Sequence, residues 1–307
     1  MAGDKVHIDS SPWEPSCAEL HMGSWLYEPE RLRSLAMAVT AASGGPRVYT
    51  NGDGGAELYR VSPEGLGVVN IHGTMMKRDS KFGGTSTIRV RRALRAMVAD
   101  QDVRAILISI DSGGGTAAGT DSLGDEIAAA AAAKPTAAHI EDIGASAALW
   151  AATQATRVSA SRMAFVGSVG TVAVIEDLSG AYERDGIVVH VITSDGAETF
   201  KAAGVDGTKI TAEQLAEWRN MVNQINELFL EAISRGRRLP MEKVRAIADG
   251  RLHISHDAAR LGLIDEVETI DEAAAAVLGM ARAAESSQRR LADSRARLSR
   301  ARLDSVP

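Results

Sequence analysis

Cysteine is almost missing from this chain: Cys17 stands alone among 307 residues. A single thiol excludes an intrachain disulfide and any cysteine-built zinc site, so packing must hold the fold, and the usage fits a reducing compartment. Long apolar runs are missing as well. The alanine-rich stretch from Ile127 to Ala133 comes nearest, and it falls well short of the roughly eighteen consecutive apolar residues of a membrane span. The opening residues, MAGDKVHIDSSPWEP, carry acids and proline but no apolar block, unlike a secretory signal. These absences lead us to expect a soluble, cytoplasmic protein without a membrane anchor. Positive charge is not in excess either. A net charge of −6 gives no reason to expect a nucleic-acid partner. The charge is unevenly spread: from Ala281 to Pro307 seven arginines stand against Glu285, Asp293 and Asp304, so this tail carries +4 and the remainder −10.

What is present suits a packed globular protein, since 45% of the residues are hydrophobic. Residues 1–64 read as an N-terminal arm, in which PERLRSLAMAVTAA is helix-prone and ASGGPRVYTNGDGGA is glycine-rich punctuation. From Gly65 the texture changes. The β-branched run GLGVVNIHGTMM predicts a strand, and TSTIRVRRALRAMVADQDV has helical spacing at Ile88, Leu94 and Val98. The apolar run RAILISID then ends in three glycines, as a strand buried on both faces does where it enters a tight turn. A helix over Thr120 to Ala133 and further strands at TAAHIED, TRVSAS and GIVVHVIT continue the alternation. Strands alternating with helices predict an α/β fold with a mostly parallel sheet covered by helices. Beyond Lys209 the clearest helix follows, with Thr211 and Gln214 as a capping pair and Leu215, Trp218, Val222, Ile225, Phe229 and Ile233 as one apolar stripe. A helix from Met241 to Ala248, a short helix near His256 and a last strand complete a domain over 65–280. The tail over 281–307 is basic and helix-prone, exposed or disordered when alone.

Three turns of small residues could carry chemistry: DSGGGTAAG at Asp111 to Gly119, IGASAALW at Ile143 to Trp150, and VGSVGT at Val166 to Thr171. Glycines after buried strands let backbone N–H groups point into a concave site, where they can hold a phosphate or an oxyanion. A lone cluster of this kind is usually a tight turn, but three at strand ends point to a site along one edge of the sheet. The first lacks the Lys and Ser/Thr pair of a P-loop and the spacing of a dinucleotide fingerprint. Ser146, flanked as GASAA, is not in a GxSxG elbow. A Ser-His-Asp triad would need His72, His139 or His190, and each falls inside a strand pattern, where a hydrogen-bonded structural histidine is the commoner outcome. No metal or cofactor is expected.

The segments VNIHGTM, ADQDVRAILISIDSGGGTAAG, GASAALWAA, FVGSVGTV, ETFKAAG and ADGRLHISHDAARLGLIDEV occur in an order and spacing that resemble the signal peptide peptidase A family of serine proteases. The likeness runs from about Gly65 to Val267, and its soluble form is similar to the phage capsid-maturation proteases and their prophage relatives. The resemblance implies a ClpP/crotonase-like fold and a Ser-Lys dyad. It places the nucleophile on Ser146, the base on Lys201 and a lysine-orienting serine on Ser168. It also implies an oxyanion hole from the N–H of Gly115, or of Gly114, and that of Ala147, with substrate laid along Ser112, Gly113 and Thr116. Where relatives carry Ser-Pro-Gly-Gly this chain has Ser112-Gly113-Gly114-Gly115, which loosens the turn but keeps the backbone donors. SAALW replaces the Ser-Gly-Gly-Tyr of many relatives, and its alanines narrow the groove.

A basic lysine must be desolvated to lose its proton near neutrality. Phe200, Ala202 and Ala203 are the apolar neighbours of Lys201, and Glu198 is expected to face solvent. Taken without the resemblance, Lys201 reads as a surface charge. The implied partners are a peptide or protein substrate, capsid or scaffold protein in the phage branch, and further copies of the chain in a homo-oligomer, acting in the cytoplasm or inside a procapsid. Two alternatives stand beside this: a housekeeping signal-peptide peptidase, and an inactive capsid-assembly or scaffold protein.

Overall fold

The computed structural model of the chain describes residues 25–27, 59–80 and 84–303. The helix expected over PERLRSLAMAVTAA and most of the N-terminal arm lie outside the described residues. The strands are β1 (Trp25–Tyr27), β2 (Arg60–Val61), β3 (Leu66–His72), β4 (Met75–Met76), β5 (Thr85–Ser86), β6 (Ala105–Ser112), β7 (Gly114–Thr116), β8 (Thr136–Ala145), β9 (Arg157–Ala160), β10 (Phe165–Gly167), β11 (Leu252–Ile254) and β12 (Glu266–Val267). The helices are α1 (Thr87–Ala99), α2 (Thr120–Ala133), α3 (Ala147–Ala152), α4 (Ser179–Arg184), α5 (Glu198–Lys201), α6 (Ala212–Arg237), α7 (Met241–Ala246), α8 (Ser255–Leu261) and α9 (Ile270–Leu303). The described residues form two compact units: residues 173–218 are the smaller, and the rest make up the larger.

In the larger unit the main sheet has the order β11-β10-β8-β6-β3-β2. Its interior pairs, β3 with β6, β6 with β8 and β8 with β10, are parallel, and antiparallel strands close both edges. This is a mostly parallel α/β sheet covered by helices. Strand β6 is buried along almost its whole length, as an unbroken run such as AILISI requires when both faces are covered. Helix α1 starts at Ser86, whose Oγ accepts the N–H of Arg89, and it buries Val90, Ala93, Leu94 and Met97 at helical spacing.

One face of the sheet carries the main core with α1, α2, α3 and the second half of α6. Trp150 of α3 stacks on Phe229 of α6 with centroids 5.2 Å apart and planes 7° from parallel. Gln154 Nε2 donates to the carbonyls of Trp150 and Ala232, adding polar ties between the same two helices. On the other face Leu66, Ala105, Leu107 and Ala137 pack against Ala273, Val277 and Ala281 of α9. Helix α9 runs unbroken through position 281, and Arg104 makes a two-pronged ion pair with Glu285 one turn further on. The start of the basic tail is thereby tied to the sheet.

The smaller unit holds α4, α5 and the beginning of α6. The capping pair is formed as expected: Thr211 Oγ1 accepts the N–H of Gln214, and Gln214 Oε1 accepts that of Thr211. The stripe on α6 is buried only toward its end, where Phe229 and Ile233 are fully enclosed while Leu215 is exposed. The strand expected at GIVVHVIT is absent. Ile187, Val188, Val191 and Ile192 are exposed and unpaired in any sheet. A β-branched run becomes a strand only where a neighbouring edge takes its N–H and C=O groups, and no strand lies within this unit.

Candidate active site

Two parallel strands end side by side. The Cα partners across β8 and β10 are Ile143 with Phe165, Gly144 with Val166 and Ala145 with Gly167. The next residue on each strand is a serine, Ser146 on one and Ser168 on the other. The register of the sheet thus brings these two sequence-predicted residues together.

Both serines hold a backbone conformation that side-chain-bearing residues avoid. Ser146 has φ 54° and ψ −119°, and Ser168 has φ 52°; Arg238 is the one further non-glycine residue with positive φ among the described residues. Such conformations cost on the order of 1–3 kcal/mol and persist where the surroundings over-determine them. Here the N–H of Ser146 donates to the carbonyl of Gly167 at 2.9 Å, and its own carbonyl accepts from Trp150 in the first turn of α3. The N–H of Ser168 donates to the carbonyl of Arg251 at 2.7 Å. The Ser146 backbone is fully engaged. Its Oγ is buried and has no hydrogen-bond partner, a state that costs roughly 1–3 kcal/mol.

The small residues around Ser146 have a steric cause. Ala145, Ala147 and Ala148 are all fully buried, and a Cβ on Gly144 would come within 2.6 Å of the Ile140 side chain. The N–H of Ala147 belongs to the first turn of α3, where helix geometry supplies no acceptor.

The glycine turn lies next to this pair, because Ser112 is the Cα partner of Gly144. Ser112 is fully buried; its Oγ donates to the carbonyl of Gly73 at 2.5 Å and accepts the N–H of Gly114 at 3.1 Å. The hydroxyl expected to meet substrate is therefore used inside the turn, and so is the Gly114 donor. Gly113 is buried beside it. Gly115 pairs with Met75 of β4, and a Cβ there would sit 1.8 Å from the Met75 carbonyl oxygen, so only glycine fits. Thr116 is half-buried and its Oγ1 donates to the carbonyl of Ala118.

Lys201 is the last residue of α5 in the smaller unit, and it is exposed. Glu198 faces solvent as expected, its carboxylate accepting the N–H of Gly196. Phe200 is 52% exposed, so the neighbours of Lys201 do not build the apolar enclosure that a neutral amine requires. Neither His72 nor His139 hydrogen-bonds to Ser146. His139 is fully buried between the hydroxyls of Ser159 and Ser161, and burial pushes its pKa below the ordinary range. His72 Nε2 lies 3.1 Å from Ser109 Oγ, which itself donates to Glu141. His190 is exposed in the smaller unit. No cluster of side chains among the described residues could hold a metal ion.

Two features of the site were not legible in the sequence. The carbonyl of Arg251 anchors Ser168, and the ring of His253 lies against Gly167, where a Cβ would meet it at 3.2 Å. A backbone acceptor leaves no residue signature. Strand β1 is the other: Trp25, Leu26 and Tyr27 pair with Thr116, Gly115 and Gly114, from an arm whose sequence specifies little.

The profile of Peptidase family S49 matches residues 128–283, half of the chain, and spans β8, α3 and β10 with both serines. The chain belongs to peptidase family S49. Over 219 residues it is 26% identical to Protease 4 of Haemophilus influenzae, covering 71% of this chain and 35% of that protein. Over 239 residues it is 25% identical to the capsid assembly protease C of Escherichia phage lambda, covering 76% of this chain and 52% of that one. The chain thus spans about a third to a half of these two relatives. Among solved structures, the ClpP protease catalytic domain from Plasmodium falciparum matches with a TM-score of 0.42 and 12% identity, over 66% of this chain and 86% of that one. The α/β architecture given above rests on the strand pairing of this chain itself.

Proposed function

We propose that this S49 chain is a serine endopeptidase with Ser146 as nucleophile and Lys201 as base, Ser168 orienting the lysine. The observation that carries the reading is the state of Ser146: a strained, buried serine with an unpartnered hydroxyl, at the end of a parallel strand beside a second strained serine. A structural serine at that position would be replaced at no loss by glycine, which tolerates the backbone angle. A nucleophile needs the hydroxyl kept and unshared.

In the reaction the neutral Nζ of Lys201 takes the Ser146 proton as Oγ bonds to the scissile carbonyl carbon. The N–H groups of Gly115 and Ala147 receive the oxyanion, a contribution worth about a hundredfold or more in turnover per donor. The intermediate collapses with rupture of the C–N bond, and the lysine proton passes to the leaving amine. Water then attacks the acyl-enzyme, giving up a proton to Lys201, which passes it to Ser146 Oγ as the ester bond breaks and the acid product leaves. Substrate lies as an extended strand along Gly113 to Thr116, held chiefly by main-chain hydrogen bonds.

Ser146 lies in the larger unit and Lys201 in the smaller. The exposure of Lys201 and Phe200, with Ile187, Val188 and Ile192 exposed in the same unit, supports a homo-oligomer in which a second copy covers this surface and desolvates the amine. Similarity to a protein named capsid assembly protease favours capsid or scaffold protein as substrate, cleaved in the cytoplasm or within a procapsid. No helix among the described residues is long and apolar enough to cross a membrane. The deciding experiment is labelling with a small fluorophosphonate followed by mass spectrometry of the modified peptide. The reading expects the adduct on Ser146, its loss in Lys201→Met, and a sedimentation coefficient above that of a monomer. Labelling elsewhere, or unchanged labelling of Lys201→Met, refutes the dyad.

A further inference from the structure

Strand β1 lies where a substrate strand belongs. It pairs antiparallel with β7 through Trp25 with Thr116, Leu26 with Gly115 and Tyr27 with Gly114. The other edge of β7 is taken by β4 through Met75 with Gly115, and the small sheet has the order β1-β7-β4-β5. Strand β1 therefore covers the edge of β7 that would otherwise be open. Its direction matters as well. Tyr27 stands opposite Gly114, the end of β7 that leads back through Gly113 to Ser112, and Ser112 is the partner of Gly144, two residues before Ser146. A chain following the course of β1 points its carboxyl end toward the nucleophile. That is the polarity required of the residues on the acyl side of a scissile bond.

We infer that Trp25–Tyr27 is an intramolecular occupant of the substrate strand, so that the N-terminal segment competes with peptide substrate for the β7 edge and must leave before another polypeptide can bind. The inference rests on the reading of β7 as the substrate edge. Two of the three β7 residues are glycines, so recognition there runs through the backbone, and main-chain pairing accepts strands of unrelated sequence. A strand on the same chain also acts at an effective concentration of order millimolar when its tether spans the gap. A free peptide with similar contacts is at a disadvantage until the strap is released.

The test uses the full chain with Ser146→Ala, so that nothing is cleaved, and a fluorescein-labelled peptide of sequence WLYEPE as probe. Two strap variants are compared by fluorescence anisotropy. Leu26→Pro disrupts the pairing, because proline lacks the N–H and resists the strand ladder. Trp25→Cys with Thr116→Cys, in a Cys17→Ser background, can lock the strap by a disulfide, since directly opposed antiparallel residues lie within disulfide reach. Leu26→Pro is expected to bind the probe about tenfold more tightly than the parent, the factor for a strap seated in roughly nine molecules of ten. The oxidised clamp is expected not to bind it, with binding restored by reduction. Failure of the clamp to form, equal binding by its oxidised and reduced forms, or an unchanged Kd in Leu26→Pro overturns the inference. Because the readout is binding to a Ser146→Ala chain, it does not depend on the dyad. Failed fluorophosphonate labelling of the parent sinks the proposed chemistry and leaves this result standing.

Discussion

The two compact units answer the same physical demand in opposite ways. In the larger unit every residue from Gly144 to Ala152 is buried, and the strained serines are held by backbone bonds from three sides. In the smaller unit Gln214 is the single buried residue among those described, while Ile187, Val188, Ile192 and Phe200 are exposed. A segment of that size with no enclosed apolar side chain cannot offset its own ordering entropy by burial. The rigid unit carries the proposed nucleophile, and the weakly enclosed one carries the proposed base. If that division is functional, the nucleophile is preorganised and the base is delivered by assembly.

The largest expected effect tests the division directly. Ser146→Ala and Lys201→Met should each lower peptide turnover by roughly 10⁴- to 10⁶-fold, the range seen when a member of a nucleophile-base pair is removed. Only Lys201→Met is expected to leave the thermal midpoint unaltered, since Lys201 is exposed. A lysine variant that retains activity within tenfold of the parent would separate the base from the smaller unit altogether.

Next in size is one truncation made in both units. Phe229 is fully buried against Trp150, so Phe229→Ala should destabilise the chain by about 3–5 kcal/mol. Phe200 is 52% exposed, and Phe200→Ala should change monomer stability by less than about 0.5 kcal/mol. Denaturant unfolding reads both. Equal costs would mean that the smaller unit has an enclosed core after all.

The contrast also shows what the sequence could reveal. Strands β3, β6, β8 and β9, helices α1 and α2 and the second half of α6 were legible because their residues are buried inside one unit, where periodicity and environment agree, while the start of α6 was legible from its capping pair. GIVVHVIT failed for the complementary reason: its β-branched run has the composition of a strand, but pairing is a property of neighbours and not of composition. Ser146 and Ser168 could each be named through the family resemblance, yet the cause of their proximity is the register Ala145 with Gly167. No residue spacing encodes that register. The enclosure of Lys201 was expected from Phe200 and two alanines, and local apolar neighbours do not provide it. Ser112 was expected to face substrate, but its hydroxyl closes the turn between Gly73 and Gly114.

A smaller effect sharpens the account of stored strain. Ser146→Gly removes both the unfavourable backbone angle and the orphan hydroxyl, so it should stabilise the larger unit by about 1–2 kcal/mol while abolishing turnover. Arg238, with φ 53° at the end of α6, is a control outside the site. Arg238→Gly should give about 1 kcal/mol with turnover unchanged. If Ser146→Gly destabilises, the serine has a structural duty and is not held against its preference.

The smallest effect is pH dependence, to which two groups of the larger unit, His139 and Asp265, contribute. His139 is kept neutral there: burial is the chief cause, and the charge of Arg157 acts in the same direction against the opposing charge of Glu141. The unfolded chain takes up this proton near pH 6.5, so as pH falls through that value the unfolded state binds more protons than the native one and stability drops. Asp265 contributes further down. Burial pushes its carboxyl up, but hydrogen bonds from Arg237 and the N–H of Val158, with the charges of Arg237 and Arg157, outweigh burial and hold it below the usual carboxylate range. Its stabilisation is present above the ordinary carboxylate pKa of about 4 and is lost as pH falls through the native value. Melting curves should therefore decline in two steps on acidification, with His139→Gln flattening the first alone and Asp265→Asn the second. The His139 step comes first as pH falls, so acid should loosen the nucleophile's scaffold before the lowered carboxylates of either unit, Asp177 and Glu198 of the smaller among them, take up protons. A first step that survives in His139→Gln would place the titrating group elsewhere.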